Sequence, residues 1–151
     1  SIQENAFEKL SAILLDLDYF KSVNDTHGHE AGNDVLIQVA KVLQKFEGNN
    51  RFIARYGGEE FVILLKDYEK EEALSVAEDI RKKIAETTFK VRHSIETEQP
   101  TELRITASLG LATYPIDCQD VYDLMTVADH LMYSGSKQKG RNRVTAMNEE
   151  G

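Results

Sequence analysis

Apolar and polar positions alternate in blocks along the chain, and the spacing inside each block differs. Residues 12–17 form a mostly apolar run bounded by carboxylates, the pattern of a buried strand. Residues 21–32 carry Asn, Asp and His together with Gly28 and Gly32, and read as a turn or loop region. From Asn33 the period changes. Val35, Val39, Val42, Leu43 and Phe46 recur at helical spacing as one stripe, and Gly48, Asn49 and Asn50 close it. Residues 52–56 and 61–65 are strand-like runs joined through Gly57, Gly58, Glu59 and Glu60, which predicts a β-hairpin. A second helix is predicted over 71–86, with Ala73, Ala77, Ile80 and Ile84 on one face. Its acids come early and its bases late, which complements the helix dipole. Residues 89–95 and 103–111 predict two more strands across a polar stretch. A third helix follows over 121–136, with Leu124, Met125, Ala128, Leu131 and Met132 inward, then a short strand over 143–146 and a frayed end over 148–151.

The β-α-β-β-α-β order within this series predicts an α+β domain, a ferredoxin-like sheet with helices on one face. No repeat, linker or low-complexity segment divides the chain, so residues 1–151 are read as one domain. Such a sheet carries many functions, and function has to come from the sites on it.

Composition narrows the class. The 151 residues are 41% hydrophobic and 29% charged, the balance of a globular chain with a real core rather than a disordered one. Apolar runs are too short to span a bilayer and no N-terminal signal pattern is visible, so a cytoplasmic location is expected. A lone Cys118 forms no internal disulfide, which fits a reducing compartment. The formal net charge of −8 argues against a general nucleic-acid binder. Lys137, Lys139, Arg141 and Arg143 nevertheless crowd one segment. A local basic cluster on an acidic chain suits a small anionic ligand or, more plainly, a solvated helix end.

Candidate chemistry starts at Asp16-Leu17-Asp18. Alternation along a strand puts both carboxylates on one face, where they are either solvated at the strand end or held by a cation. Gly57-Gly58-Glu59-Glu60 alone is turn chemistry. A hairpin beside the Asp16 strand would, however, bring Glu59 to Asp16, and magnesium is usually held by one or two carboxylates plus substrate phosphates. Gly57 and Gly58 lack a Cβ and would let a phosphate-bearing nucleotide approach the backbone. Lys137 and Arg141 could both reach a triphosphate, with Lys21 a further candidate. His27 and His29 read as loop histidines, Asp129 as a structural residue near the site, and Cys118 as unreactive.

Asp16-Leu17-Asp18-Tyr19-Phe20-Lys21, Asn24-Asp25, Gly28-His29, Gly32, Arg55-Tyr56-Gly57-Gly58-Glu59-Glu60-Phe61, Ser108-Leu109-Gly110, Ala128-Asp129 and Lys137-x-x-Gly140-Arg141-Asn142 occur in this order. Together they resemble the GGDEF domain of diguanylate cyclases, in its GGEEF spelling, over roughly residues 12–145. The resemblance implies a polymerase-palm-like fold. It also implies joining of two GTP into cyclic di-GMP with release of pyrophosphate, by a homodimer in which each 3′-hydroxyl attacks the partner's α-phosphate. It implies Mg2+ (or Mn2+) on Asp16, Glu59 and the Leu17 carbonyl, and Glu60 at the reacting hydroxyl or assisting the metal. Phe20, Lys21, Lys137 and Arg141 would hold phosphates, and Asn24 and Asn33 would read guanine.

Three departures from the family pattern stand out. Asn33 occupies the position where the family usually has Asp. Bonds to a charged acceptor contribute about 1.5–3 kcal/mol against about 0.5–1.5 for neutral ones, so guanine recognition is expected to weaken by about 1–2 kcal/mol. Asn33 also suits the N-cap of the helix predicted to begin there. The Arg-x-x-Asp product-inhibition motif falls on Gly48 and Arg51 and is absent. The family's Asp-x-Leu-Thr-Gly-Leu-x-Asn-Arg segment has no match in the 15 residues before Asp16, so the chain is read as a domain excised from a larger sensory or dimerising protein.

Overall fold

The computed structural model describes residues 8–91 and 100–147. In chain order the strands and helices are β1 (Leu10–Leu17), α1 (Phe20–His27), α2 (His29–Gln44), β2 (Arg51–Arg55), β3 (Glu60–Lys66), α3 (Lys70–Glu86), β4 (Phe89–Val91), β5 (Thr101–Leu103), β6 (Ala107–Tyr114), α4 (Leu124–His130) and β7 (Arg143–Ala146). A 3-10 turn (Val121–Asp123) leads into α4, and a π-helical run (Leu131–Lys137) continues it.

Five strands form a mixed sheet of order β2-β3-β1-β6-β7, and β4 and β5 form a separate antiparallel pair. β1 lies in the middle, antiparallel to β3 and β6, while β7 runs parallel to β6. That position explains its nearly unbroken apolar sequence, because both of its faces are covered. Ile13, Leu15 and Leu17 enter the main core with residues of α2 and α3, such as Val39, Leu43, Ala77 and Ile80. Ala12 and Leu14 face the other way, against Ala112, Leu124, Ala128 and Met132. Each fully buried Leu or Ile contributes about 1.5–3 kcal/mol, so the register of β1 is firmly set; a slip by one residue would turn Asp16 to the wrong face.

The helices therefore lie on both faces of the sheet, which corrects the expectation of one. The physical reason sits at Gly110 of β6. A Cβ there would stand 2.1 Å from the Ala128 carbonyl oxygen and 2.4 Å from the Met132 nitrogen. The helical segment crosses β6 in backbone contact that only glycine allows. The helix predicted over 121–136 is also not uniform. It starts as a 3-10 turn and ends in the π-helical run, where Gln138 N–H donates to the Tyr133 carbonyl at 3.2 Å.

Residues 21–32, expected as a loop, are instead α1 and the start of α2. Phe20 is buried and Val23 packs against the same core, one turn apart, so tertiary burial overrides the turn propensity of Asn24, Asp25 and His27. The turn chemistry survives only at Gly28 (φ 96°), the junction of the two helices. α2 thus begins at His29, with Gly28 at its cap, and Asn33 is not an N-cap. His27 and His29 end one helix and begin the next. The strand expected over 103–111 is divided between β5 and β6, because the chain leaves the small pair at Leu103 and joins the sheet at Ala107. Of the strand expected over 89–95, only Phe89–Val91 is seen; the rest, and the frayed end at 148–151, lie outside the described residues. The hairpin of β2 and β3, α3 and β7 lie close to their predicted spans, and Glu72 accepts the Glu69 N–H at 2.9 Å to close the start of α3.

Candidate active site

Asp16 occupies the end of β1 with Glu60 opposite it on β3 and Ser108 opposite it on β6. The hairpin tip is held tightly. Tyr56 and Gly57 N–H both donate to the Glu60 carbonyl, at 2.8 and 3.2 Å, and the Arg55 guanidinium donates to the carbonyls of Gly57 (3.2 Å) and Gly58 (2.5 Å). Leu17 N–H reaches the Glu59 carbonyl at 3.4 Å. Backbone bonds therefore bring Glu59 and Glu60 to the end of β1, as the Gly-Gly signal implied.

Asp16 is only 4% exposed. One carboxylate oxygen, Oδ2, accepts from Lys137 Nζ, and the other, Oδ1, is buried without a hydrogen-bond partner. Burial pushes the Glu59 carboxyl above its usual range, and the neighbouring Asp16 charge and then a carboxyl–carboxylate hydrogen bond with Asp16 raise it further, with Lys137 opposing. That bond exists only while Glu59 holds a proton, and with both groups ionised Asp16 Oδ1 has no donor. Glu60 is pushed up by burial first, then by Asp16 and Asp129. One ammonium thus faces a crowd of carboxylates. A buried acceptor left unpaired costs about 1–3 kcal/mol, and like charges disfavour one another's ionised forms. An added cation would relieve both. Among the described residues no group of three or more His, Cys, Asp or Glu side chains forms a ligand set by itself. Two carboxylates with phosphates completing the shell are nonetheless the usual environment of magnesium, and Asp16 and Glu59 fit it.

Asp18, two residues on, presents the opposite case. It is 2% exposed, and both oxygens are satisfied. Oδ1 accepts from Ser108 Oγ at 2.6 Å; Oδ2 accepts from Thr106 Oγ1 at 2.6 Å and from Asn142 N–H at 3.0 Å. Arg141 Nη1 lies 3.9 Å from Oδ1, and the Arg141 guanidinium sits over the Tyr19 ring at 4.5 Å from its centroid. Lys137 and Arg141 are thereby gathered at the end of β1, with Lys137 as the last residue of the π-helical run. Such runs are frequent at functional sites.

On the other side of α1, a Cβ at Gly32 would stand 1.9 Å from Asn24 Oδ1 and 3.2 Å from Phe20 Cζ. Glycine at that position admits the Asn24 side chain between α1 and α2. Phe20 itself is buried at the start of α1, and Asn33 is exposed on α2, one residue past Gly32. Lys21 is exposed and paired with Asp25 at 2.9 Å. Of the predicted residues, then, Asp16, Glu59, Glu60 and Lys137 share one charged cluster. Arg141 borders it through Asp18, Phe20 and Asn24 meet at Gly32, and Lys21 is turned to its own helix. From the sequence Tyr19 carries no site role, and Asp129 reads as a structural residue near the site. Asp129 is an exposed residue whose charge reaches Glu60, which no local signal announces, and the Arg141–Tyr19 stack joins positions 122 apart in sequence (141 − 19). Cys118 is a free, half-buried thiol pushed up by burial and by Asp117, in keeping with an unreactive residue.

A family model described as "Diguanylate cyclase, GGDEF domain" matches residues 1–143. Diguanylate cyclase A of Treponema denticola is 39% identical over 138 residues, which covers 91% of this chain and 35% of that protein. Probable diguanylate cyclase DgcF of Escherichia coli K12 is 39% identical over 144 residues, covering 93% of this chain and 43% of that protein. The chain spans less than half the length of these two relatives. Among solved structures, the GGDEF domain of DgcB from Caulobacter crescentus in complex with c-di-GMP matches with a TM-score of 0.79 at 34% identity, covering 91% of this chain and 77% of that one. The active GGEEF domain of a diguanylate cyclase from Vibrio cholerae matches with a TM-score of 0.79 at 32% identity, covering 98% and 88%.

Proposed function

The chain belongs to the diguanylate cyclase GGDEF-domain family, and from that premise we propose that it condenses two GTP molecules into cyclic di-GMP as half of a homodimer in the cytoplasm. In each half-reaction a ribose 3′-oxygen bonds to the partner nucleotide's α-phosphorus as the bond to pyrophosphate breaks, so two pyrophosphates leave per product. The observation that supports this most is the buried, unpartnered Oδ1 of Asp16 beside a Glu59 whose pKa is raised.

Asp16, Glu59 and the Leu17 carbonyl would hold Mg2+ or Mn2+. Bound there, the cation supplies activation of the attacking hydroxyl and charge for the leaving pyrophosphate. The remaining work falls to the chain's own groups. Lys137 and Arg141 bind the triphosphate, and Phe20 and Lys21 contribute at the start of α1. Lys21 does so by leaving its exposed pair with Asp25, a pair of the kind that contributes at most about 1 kcal/mol. Glu60, raised in pKa, lies near the reacting hydroxyl, where its carboxylate takes up the 3′ proton or supports the cation. Gly57 and Gly58 give the nucleotide close access to the hairpin backbone. Asn24 and Asn33 face the guanine edge.

The neutral Asn33 favours a second reading. An amide presents donors as well as an acceptor, so base choice is relaxed, or GTP is bound by a regulatory module without turnover. Concentrated protein is incubated with magnesium and equal GTP and ATP, and products are read by mass spectrometry. Cyclic di-GMP alone is expected. Mixed purine products would move specificity to Asn33. Nucleotide binding with no product, even when the chain is forced to dimerise, would overturn the cyclase reading.

A further inference from the structure

Gly140, Arg141 and Asn142 form three consecutive residues at positive φ, 115°, 64° and 48°. Glycine takes this conformation freely, but a non-glycine residue holds it only where the surrounding structure over-determines it. Three contacts impose it here. Arg141 N–H donates to the Ser136 carbonyl at 2.8 Å, Arg81 Nη1 donates to Asn142 Oδ1 at 2.9 Å, and Asn142 N–H donates to Asp18 Oδ2 at 3.0 Å. Of these three, only the last reaches Asp18, the residue just past the end of β1, the strand that carries Asp16. It is also a bond to a buried carboxylate, the stronger kind.

Asp18 is itself immobilised. Thr106 and Ser108 fix both of its oxygens at 2.6 Å from the β6 side. Its side chain cannot turn toward the carboxylates of the charged cluster without breaking these bonds. We infer that Asp18 is a positioning residue: it holds the 140–142 turn against the end of β1 so that the Arg141 guanidinium stands over Tyr19 at a fixed place for a nucleotide's phosphates. The inference rests on the proposed nucleotide chemistry for Arg141 and adds to it the residue that sets the geometry. In Asp18→Asn one oxygen becomes an NH2. The amide still satisfies the hydroxyls of Thr106 and Ser108, which accept as well as donate. It loses the charge in either orientation of the amide. With the NH2 toward Ser108 the oxygen still accepts Asn142 N–H, but only as the weaker neutral kind of bond, and the attraction to the Arg141 guanidinium is gone.

The test is a two-by-two cycle of Asp18→Asn and Arg141→Ala, with KM and kcat for GTP measured in the dimerised protein. Asp18→Asn is expected to raise KM about 10-fold, the scale of exchanging a bond to a charged acceptor for a neutral one, with a smaller change in kcat. In the Arg141→Ala background it is expected to add almost nothing. Additive effects of the two substitutions, or a fall in kcat at unchanged KM, would overturn the inference. If Arg141→Ala leaves KM unchanged, it is the phosphate role of Arg141 that fails. If Arg141→Ala raises KM but Asp18→Asn does not, only the positioning role fails. A second measurement needs neither variant nor nucleotide. The amide of Asn142, on an exposed residue, is expected to exchange slowly in the intact protein; exchange at the rate of an open loop would contradict the anchor.

Discussion

Two buried lysine–aspartate pairs stand at opposite ends of β6, and they are built in opposite ways. At the far end, Lys70 at the start of α3 bonds to Asp117 Oδ1 at 3.0 Å and to the Met147 carbonyl at 2.8 Å, while Asp117 Oδ2 accepts Thr113 N–H at 2.8 Å. Both carboxylate oxygens are used. At the near end, Lys137 reaches one oxygen of Asp16 while the other is stranded, and Glu59 and Glu60 press further negative charge against the pair. The first arrangement suits a strut that joins α3, β6 and the end of β7. The second retains an unfavourable charge distribution, which the proposed cation and triphosphate would complete.

Removing either lysine separates the two cases. Lys70→Met leaves the Asp117 charge buried without its cation, held only by the Thr113 N–H, and is expected to destabilise the fold by about 3–5 kcal/mol. Denaturant melts should show this equally with and without magnesium. Lys137→Met strands Asp16 in a more open corner and should cost less, about 1–3 kcal/mol. Here millimolar Mg2+ or Mn2+ should restore much of the loss, because whatever binds only the folded state stabilises it. If the cation rescued both variants alike, or neither, the contrast between strut and site would be lost.

The smallest effect belongs to an exposed carboxylate whose bonds are complete. Asp67 accepts the N–H groups of Glu8 (2.8 Å) and Lys9 (3.0 Å), and the Lys9 bond, then the Glu8 bond, holds its carboxyl below the usual range. A depressed folded value means that its stabilisation is present above the unfolded value, near about 4, and is lost as pH falls through the folded one. The melting temperature of Asp67→Asn should therefore sit slightly below that of the parent at neutral pH, and the gap should close on acidification. A gap independent of pH would show that the carboxylate charge contributes nothing there.

Much of this was legible in the sequence, for definable reasons. β1, the hairpin and α3 follow from local periodicity, and Asp16, Glu59, Lys137 and Arg141 stand out as charges at the ends of apolar elements. α1 was hidden because Phe20 and Val23 become helical through burial against distant residues, while Asn24 and His27 locally favour a turn. The placement of α4 on the second face depends on Gly110, whose missing Cβ matters only against Ala128 and Met132. Asp18 looked like the twin of Asp16, and only its contacts with Thr106, Ser108 and Asn142 separate them. The roles of Phe20, Asn24 and Asn33 came from the family resemblance, since nothing in spacing names a base.

The most direct test of the central claim, that the Asp16–Glu59 corner is built for a cation, is thermal melting of the parent chain and Glu59→Gln in chelator and in a Mg2+ or Mn2+ titration without nucleotide. Removing a crowded carboxylate should leave the melting temperature in chelator unchanged or higher and should abolish the cation-induced rise seen in the parent. A variant that melts lower in chelator yet keeps the full cation response would contradict the claim.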